Sequence, residues 1–152
     1  MKKALFVLLT ALPLAAFSAE GMSDDLKRFF SGLTAAERDN LGREVAREMQ
    51  QENMNKNMDA QYSHIHVIDI RYRSSDDTFV ISAKAKPDQD LIMSNFQSTM
   101  EREVAQMVRS EMCGEADTRD LMKIGRYSFE YRITTANGKK FKPVRISAKD
   151  CR

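Results

Sequence analysis

At 152 residues, 42% hydrophobic and 30% charged, the chain has the length of one domain that can bury a core. Twenty-four basic residues face 22 acidic ones, a formal charge of +2. Two of the lysines belong to an N-terminal leader, so the remainder is near neutral and has no field to recruit nucleic acid.

Lys2 and Lys3 precede an apolar run from Ala4 to Leu12. Pro13 breaks it, and Ala16-Phe17-Ser18 offers small residues at a cleavage site. Charged start, short apolar core and small-residue exit predict a secretory signal peptide over 1–18, with a single domain over 19–152. The core is too short for a stable span, and no Cys stands at the cleavage site, so a soluble product without a membrane anchor is expected, periplasmic or secreted.

Ser23-Asp24-Asp25 opens a helix carrying Leu26, Phe29, Phe30 and Leu33. Thr34-Ala35-Ala36-Glu37 is a capping box for a second, with Leu41, Val45 and Met49 on one face. Residues 50–62 are polar and read as a connecting segment. The period then falls to two. His64, His66, Ile68, Ile70 and Tyr72 are predicted on one strand face, with Asp69, Arg71 and Arg73 on the other. Ser74-Ser75-Asp76-Asp77 turns the chain into a second strand with Phe79, Ile81, Ala83 and Ala85 inward. A helix over roughly 90–112 carries Ile92, Phe96, Met100, Val104, Met107 and Val108, and a short one over 117–124 ends at Gly125. The last hairpin alternates Tyr127, Phe129, Tyr131 and Ile133, turns at Asn137-Gly138, and returns with Phe141, Val144, Ile146 and Ala148. The order ααββααββ predicts an α+β fold. Its four-stranded, largely antiparallel sheet consists of two hairpins packed with helices.

Cys113 and Cys151 are the two cysteines. In an oxidising compartment an even count reads as one disulfide, locking the long helix to the last strand. A pair of free or metal-binding thiols is the alternative. The spacing is not a CxxC redox motif.

Few residues suggest chemistry. His64 and His66 have a spacing that metal sites use but supply only two ligands. Met54 and Met58 lie close by, and thioethers with imidazoles suit copper(I). The alternative is that Met100, Met107, Met112 and Met122 fill the core and Met54 and Met58 belong to a contact surface. No GxSxG, HExxH or phosphate loop is present. Asp88 with Asp90, and Asp117 with Asp120, read as turn and cap residues. No enzyme and no cofactor is expected. Arg71, Arg73, Arg132 and Arg145 alternate on strands, as a solvated face or a docking face for an acidic partner.

The C-terminal third has a helix from Val104 ending in Cys113, then Leu121-Met122-x-x-Gly125, Tyr127-x-Phe129-x-Tyr131, Asn137-Gly138, Ile146 and Cys151. This frame resembles small exported bacterial proteins of the quorum-sensing-regulated virulence factor type. The resemblance covers about 50 residues and implies an α/β sandwich with Cys113 bonded to Cys151. It carries no catalytic residues. Secretion pilotins are similar in size and compartment. The expected function is that of an exported accessory or virulence-associated protein of a Gram-negative envelope, binding a protein partner in the envelope or outside the cell. The alternatives are a periplasmic inhibitor or immunity protein and a copper-binding periplasmic protein.

Overall fold

The computed structural model describes residues 22–57, 65–86 and 97–151. The predicted signal peptide, Met58, His64, Ile92 and Phe96 lie outside them, as do Pro87, Asp88 and Asp90. Among the described residues, four helices and four strands follow in the predicted order: α1 (Met22–Gly32), α2 (Ala35–Asn57), β1 (Ile65–Arg73), β2 (Thr78–Ala85), α3 (Gln97–Gly114), α4 (Ala116–Lys123), β3 (Ser128–Thr134) and β4 (Val144–Ile146). A 3-10 turn, Ala148–Asp150, leads to Cys151. The fold is α+β, as expected.

Local chemistry explains most boundaries. The Glu37 amide donates to Thr34 Oγ1 at 3.3 Å, and Glu37 Oε2 accepts from the Thr34 amide at 2.8 Å, the reciprocal bonds of a capping box. The Thr34 hydroxyl, which donates to the same carboxylate oxygen at 2.7 Å, and the Thr34 amide hold the Glu37 carboxyl below its usual range. Helix α2 then runs further than expected. Residues 50–57, read as part of a polar connection, are helical. They contain no glycine or proline to stop the helix. Asn53 Nδ2 also donates to the Val67 carbonyl of β1 at 3.0 Å, tying this polar turn to the sheet.

The sheet order is β1-β2-β3-β4, antiparallel at both edges and parallel between β2 and β3. The central pair is parallel because β3 is reached through two helices rather than a turn. All described helices contribute to one core on one sheet face, where Phe79, Phe129 and Ile146 are fully buried among Val45, Val104, Val108, Met112 and Met122.

Two irregularities change the predicted faces. The β1–β2 register shifts between Val67 and Asp69, so Ile68 is a bulge. Val67 therefore faces the core with Ile70 and Tyr72, while Ile68 is half exposed at 50%. His66, opposite Lys84, lies on the other face together with Asp69, opposite Ser82. His66, Ile68, Ile70 and Tyr72 thus do not share one face as expected, because a bulge inverts the alternation. At the other edge, Thr134 pairs with Lys140 but Tyr131 with Val144, a slip of one. Pro143 lies within the slip and has no amide to offer the ladder. The slip lets Phe141, Val144 and Ile146 all point inward. Met107, predicted in the α3 stripe, is exposed. The buried row is Val104, Val108 and Met112, at four-residue spacing.

Cys113 and Cys151 form the disulfide, with Cα atoms 5.2 Å apart. It joins the end of α3 to the segment after β4. Glu101, near the start of α3, makes a second tie, accepting from the Lys142 amide just before β4 at 3.1 Å.

Candidate functional site

The sheet face away from the helices carries the four arginines that the strand alternation singled out. Register places Arg71 and Arg73 on β1, Arg132 on β3 and Arg145 on β4 on that face, with Thr78, Val80, Ser82 and Glu130 between them. Two carboxylates organise the cluster. Asp76, in the β1–β2 turn, takes Arg73 Nε at 2.7 Å and Arg145 Nη1 at 2.9 Å. Glu130, at the centre and only 8% exposed, takes Arg73 Nη2 at 2.9 Å and Arg132 Nη2 at 2.6 Å. Arg73 thereby bridges both acids. Arg145 also donates to Thr78 Oγ1 at 3.1 Å, and Thr78 is fully buried beneath it. Hydrogen bonds from Arg73 hold Asp76 well below the usual carboxylate range and lower Glu130 as well, and the same bonds raise Arg73. Arg71 pairs with Asp69 at 2.7 Å and remains 78% exposed.

The arrangement is a fixed charged surface. Arg73 and Arg145, each held by two groups, lose little freedom when a partner arrives. A shallow depression with Val80 and Ser82 among its lining residues lies between Arg71, Arg73 and Arg132. The strand alternation located the arginines but not their organisers. Glu130 reads as one more outward residue, and Asp76 as one more turn residue.

A second feature escaped the sequence entirely. A cleft of about 980 Å³ lies between α1, the end of α4 and the β1–β2 turn. Phe30, Leu33 and Ile124 contribute apolar surface, and Lys27, Arg28, Arg38, Lys123 and Arg126 supply basic groups against Asp77 and Asp120. Its inner wall is built around Arg38. That side chain donates to Asp77 Oδ2 at 3.0 Å and to the Gly125 carbonyl, and lies 4.7 Å from the Tyr127 ring centre. The Tyr72 hydroxyl donates to the other oxygen of Asp77. Burial pushes the Tyr127 hydroxyl up to about 12 and raises Tyr72 as well, with the Asp77 bond adding to the second. Asp77 and Arg126 are the non-glycine residues with positive φ among the described residues, at 48° and 59°. These elements are far apart in sequence, so no local pattern could announce the cleft.

Of the predicted copper ligands, Met54 is 60% exposed on α2 and His66 is half-buried on the arginine face of β1. Met58 and His64 lie outside the described residues. Among the described residues no three His, Cys, Asp or Glu side chains are grouped as metal ligands. The cysteines are disulfide-bonded rather than free or metal-binding thiols. No described helix is long and apolar enough to cross a membrane.

No protein-family model matches the chain. No curated protein matches it either. Solved structures do. A "putative secreted protein" from Pseudomonas aeruginosa aligns with a TM-score of 0.54 at 13% identity, over 76% of this chain and 96% of that one. A pilotin of the type 2 secretion system of Vibrio vulnificus aligns at 0.49 and 15% identity, over 70% and 94%. A type II secretion pilotin of Vibrio cholerae aligns at 0.46 and 14%, over 76% and 97%. The first of these likenesses shows that the two-layer fold of this chain has been seen before, in that Pseudomonas aeruginosa protein.

Proposed function

We propose that the protein is an exported accessory protein of a Gram-negative envelope, periplasmic or secreted. It is of the virulence-associated type that its C-terminal third resembles, and it acts by binding another protein rather than by catalysis. The observation that carries this reading is the arginine face: four guanidinium groups on the sheet face away from the described helices, three of them held in place by Asp76 and Glu130. A prearranged basic surface on a rigid sheet suits an acidic protein partner. The secretory-type N-terminus supports export, and so does the disulfide, which persists in oxidising compartments. The description of the Pseudomonas aeruginosa protein as secreted agrees with it.

The test is cross-linking of the tagged protein in living cells, comparing the native chain with an Arg71→Ser/Arg132→Ser double variant. Both side chains are at least half exposed, so the fold should tolerate the change. One dominant protein cross-linked to the native chain and lost from the variant is expected. Recovery of the same protein with both chains, or of none with either, refutes the reading. A captured cell-wall hydrolase that loses activity on binding would place the protein as an inhibitor.

A further inference from the structure

The cleft between α1, α4 and the β1–β2 turn concentrates charge that the rest of the molecule balances. Five basic side chains line it against two carboxylates, whereas the whole chain is only +2. One of the acids, Asp77, is already committed to Arg38 and Tyr72. Among the described residues, Lys27 and Arg28 are held by exposed pairs on their own helix, with Asp24 at 3.1 Å and Asp25 at 3.8 Å. Such pairs exchange partners at little cost. Lys123 and Arg126 are exposed and have no acidic partner among the described residues. Between these basic rims lie Phe30, Leu33 and Ile124. The backbone of Arg126 sits in the left-handed region, where glycine or asparagine would rest more easily. Keeping an arginine there costs stability, and such strain gathers at functional positions.

We propose that this cleft binds an acidic peptide segment of a partner protein, with a bulky apolar side chain seated against Phe30, Leu33 and Ile124 and flanking carboxylates on Lys123 and Arg126. The proposal deepens the protein-binding reading but does not depend on the arginine face, which is separate from these residues. Charge complementarity selects the acidic flanks, and the apolar lining selects the central side chain.

The probe is a fluorescent peptide with a Phe-Leu pair between two glutamates on each side, compared with its lysine-flanked counterpart and with phosphatidylglycerol vesicles. The full exported chain should give a saturable anisotropy change with the acidic peptide alone. Added salt should weaken it. Lys123→Glu/Arg126→Glu should weaken it more than tenfold, and Arg71→Ser/Arg132→Ser should leave it unchanged. Arg126→Gly should weaken binding while raising the melting temperature, a pairing that a purely structural arginine would not give. Equal binding of both peptides, binding of neither, binding that survives in the charge-reversed variant, or preference for the vesicles overturns the proposal. None of those outcomes touches the cross-linking result expected of the arginine face.

Discussion

Glu130 gives the sharpest test of the charged lattice. Its side chain is 11% exposed and accepts from Arg73 at 2.9 Å and Arg132 at 2.6 Å. Glu130→Gln keeps the shape but removes the charge, and its amide group must then face a guanidinium. Hydrogen bonds to charged groups contribute about 1.5–3 kcal/mol each, and a neutral acceptor retains part of that, so the expected loss at pH 7 is about 2 kcal/mol. The pH dependence separates this cause from packing. Arg73 and Arg132 hold the folded carboxyl below its usual value. A depressed carboxylate contributes stability that is full above the unfolded pKa, about 4.3, and is lost as pH falls through the folded value. Urea denaturation of both chains should therefore show the full gap at pH 7. The gap should shrink below about pH 4.3, and it should close once the native glutamate is itself protonated. A gap of the same size at pH 7 and at pH 2 would refute the electrostatic account and leave packing as the cause.

Other perturbations have defined outcomes. Cys113→Ser opens a link that spans 38 residues, and the chain-entropy relation gives a loss of about 4 kcal/mol; equilibrium denaturation of reduced and oxidised protein would measure it. Gly42→Ala should destabilise although alanine favours helix by about 1 kcal/mol, because its Cβ would lie 2.5 Å from the Tyr72 ring and overpacking costs about 1–3 kcal/mol. That ring is tethered through its hydroxyl to Asp77, so Tyr72→Ala in the same chain should restore the helix gain, and a double-mutant cycle without coupling would contradict the clash. Burial raises Tyr127, Tyr72 and Tyr131. A tyrosine with a raised folded pKa contributes stability that is full below the unfolded value of about 10 and lost above it. Ultraviolet titration should therefore show these phenols ionising together with unfolding, and their independent ionisation in a folded protein would count against the burial.

Periodicity and punctuation in this chain determine the elements. The Thr34–Glu37 capping box, the alternation of Phe79, Ile81, Ala83 and Ala85, and the Asn137-Gly138 turn each express a local preference, and each is realised where it was expected. The parity of Cys113 and Cys151 was enough for the disulfide. Strand alternation likewise put Arg71, Arg73, Arg132 and Arg145 on one side, because a pleated strand faces its side chains alternately. Relations between elements were decided by tertiary packing. The Ile68 bulge moved His66 to the arginine face beside Asp69, since only that register lets both Val67 and Ile70 reach the core. The long α2 was held by Asn53 against β1, a bond between residues 14 apart. Asp76 and Glu130 became organisers, and Arg38 reached Asp77 and Gly125, only once distant segments met. Local sequence carries backbone preference and the facing of side chains, whereas a cleft or an ion-pair lattice is a property of surfaces that folding brings together.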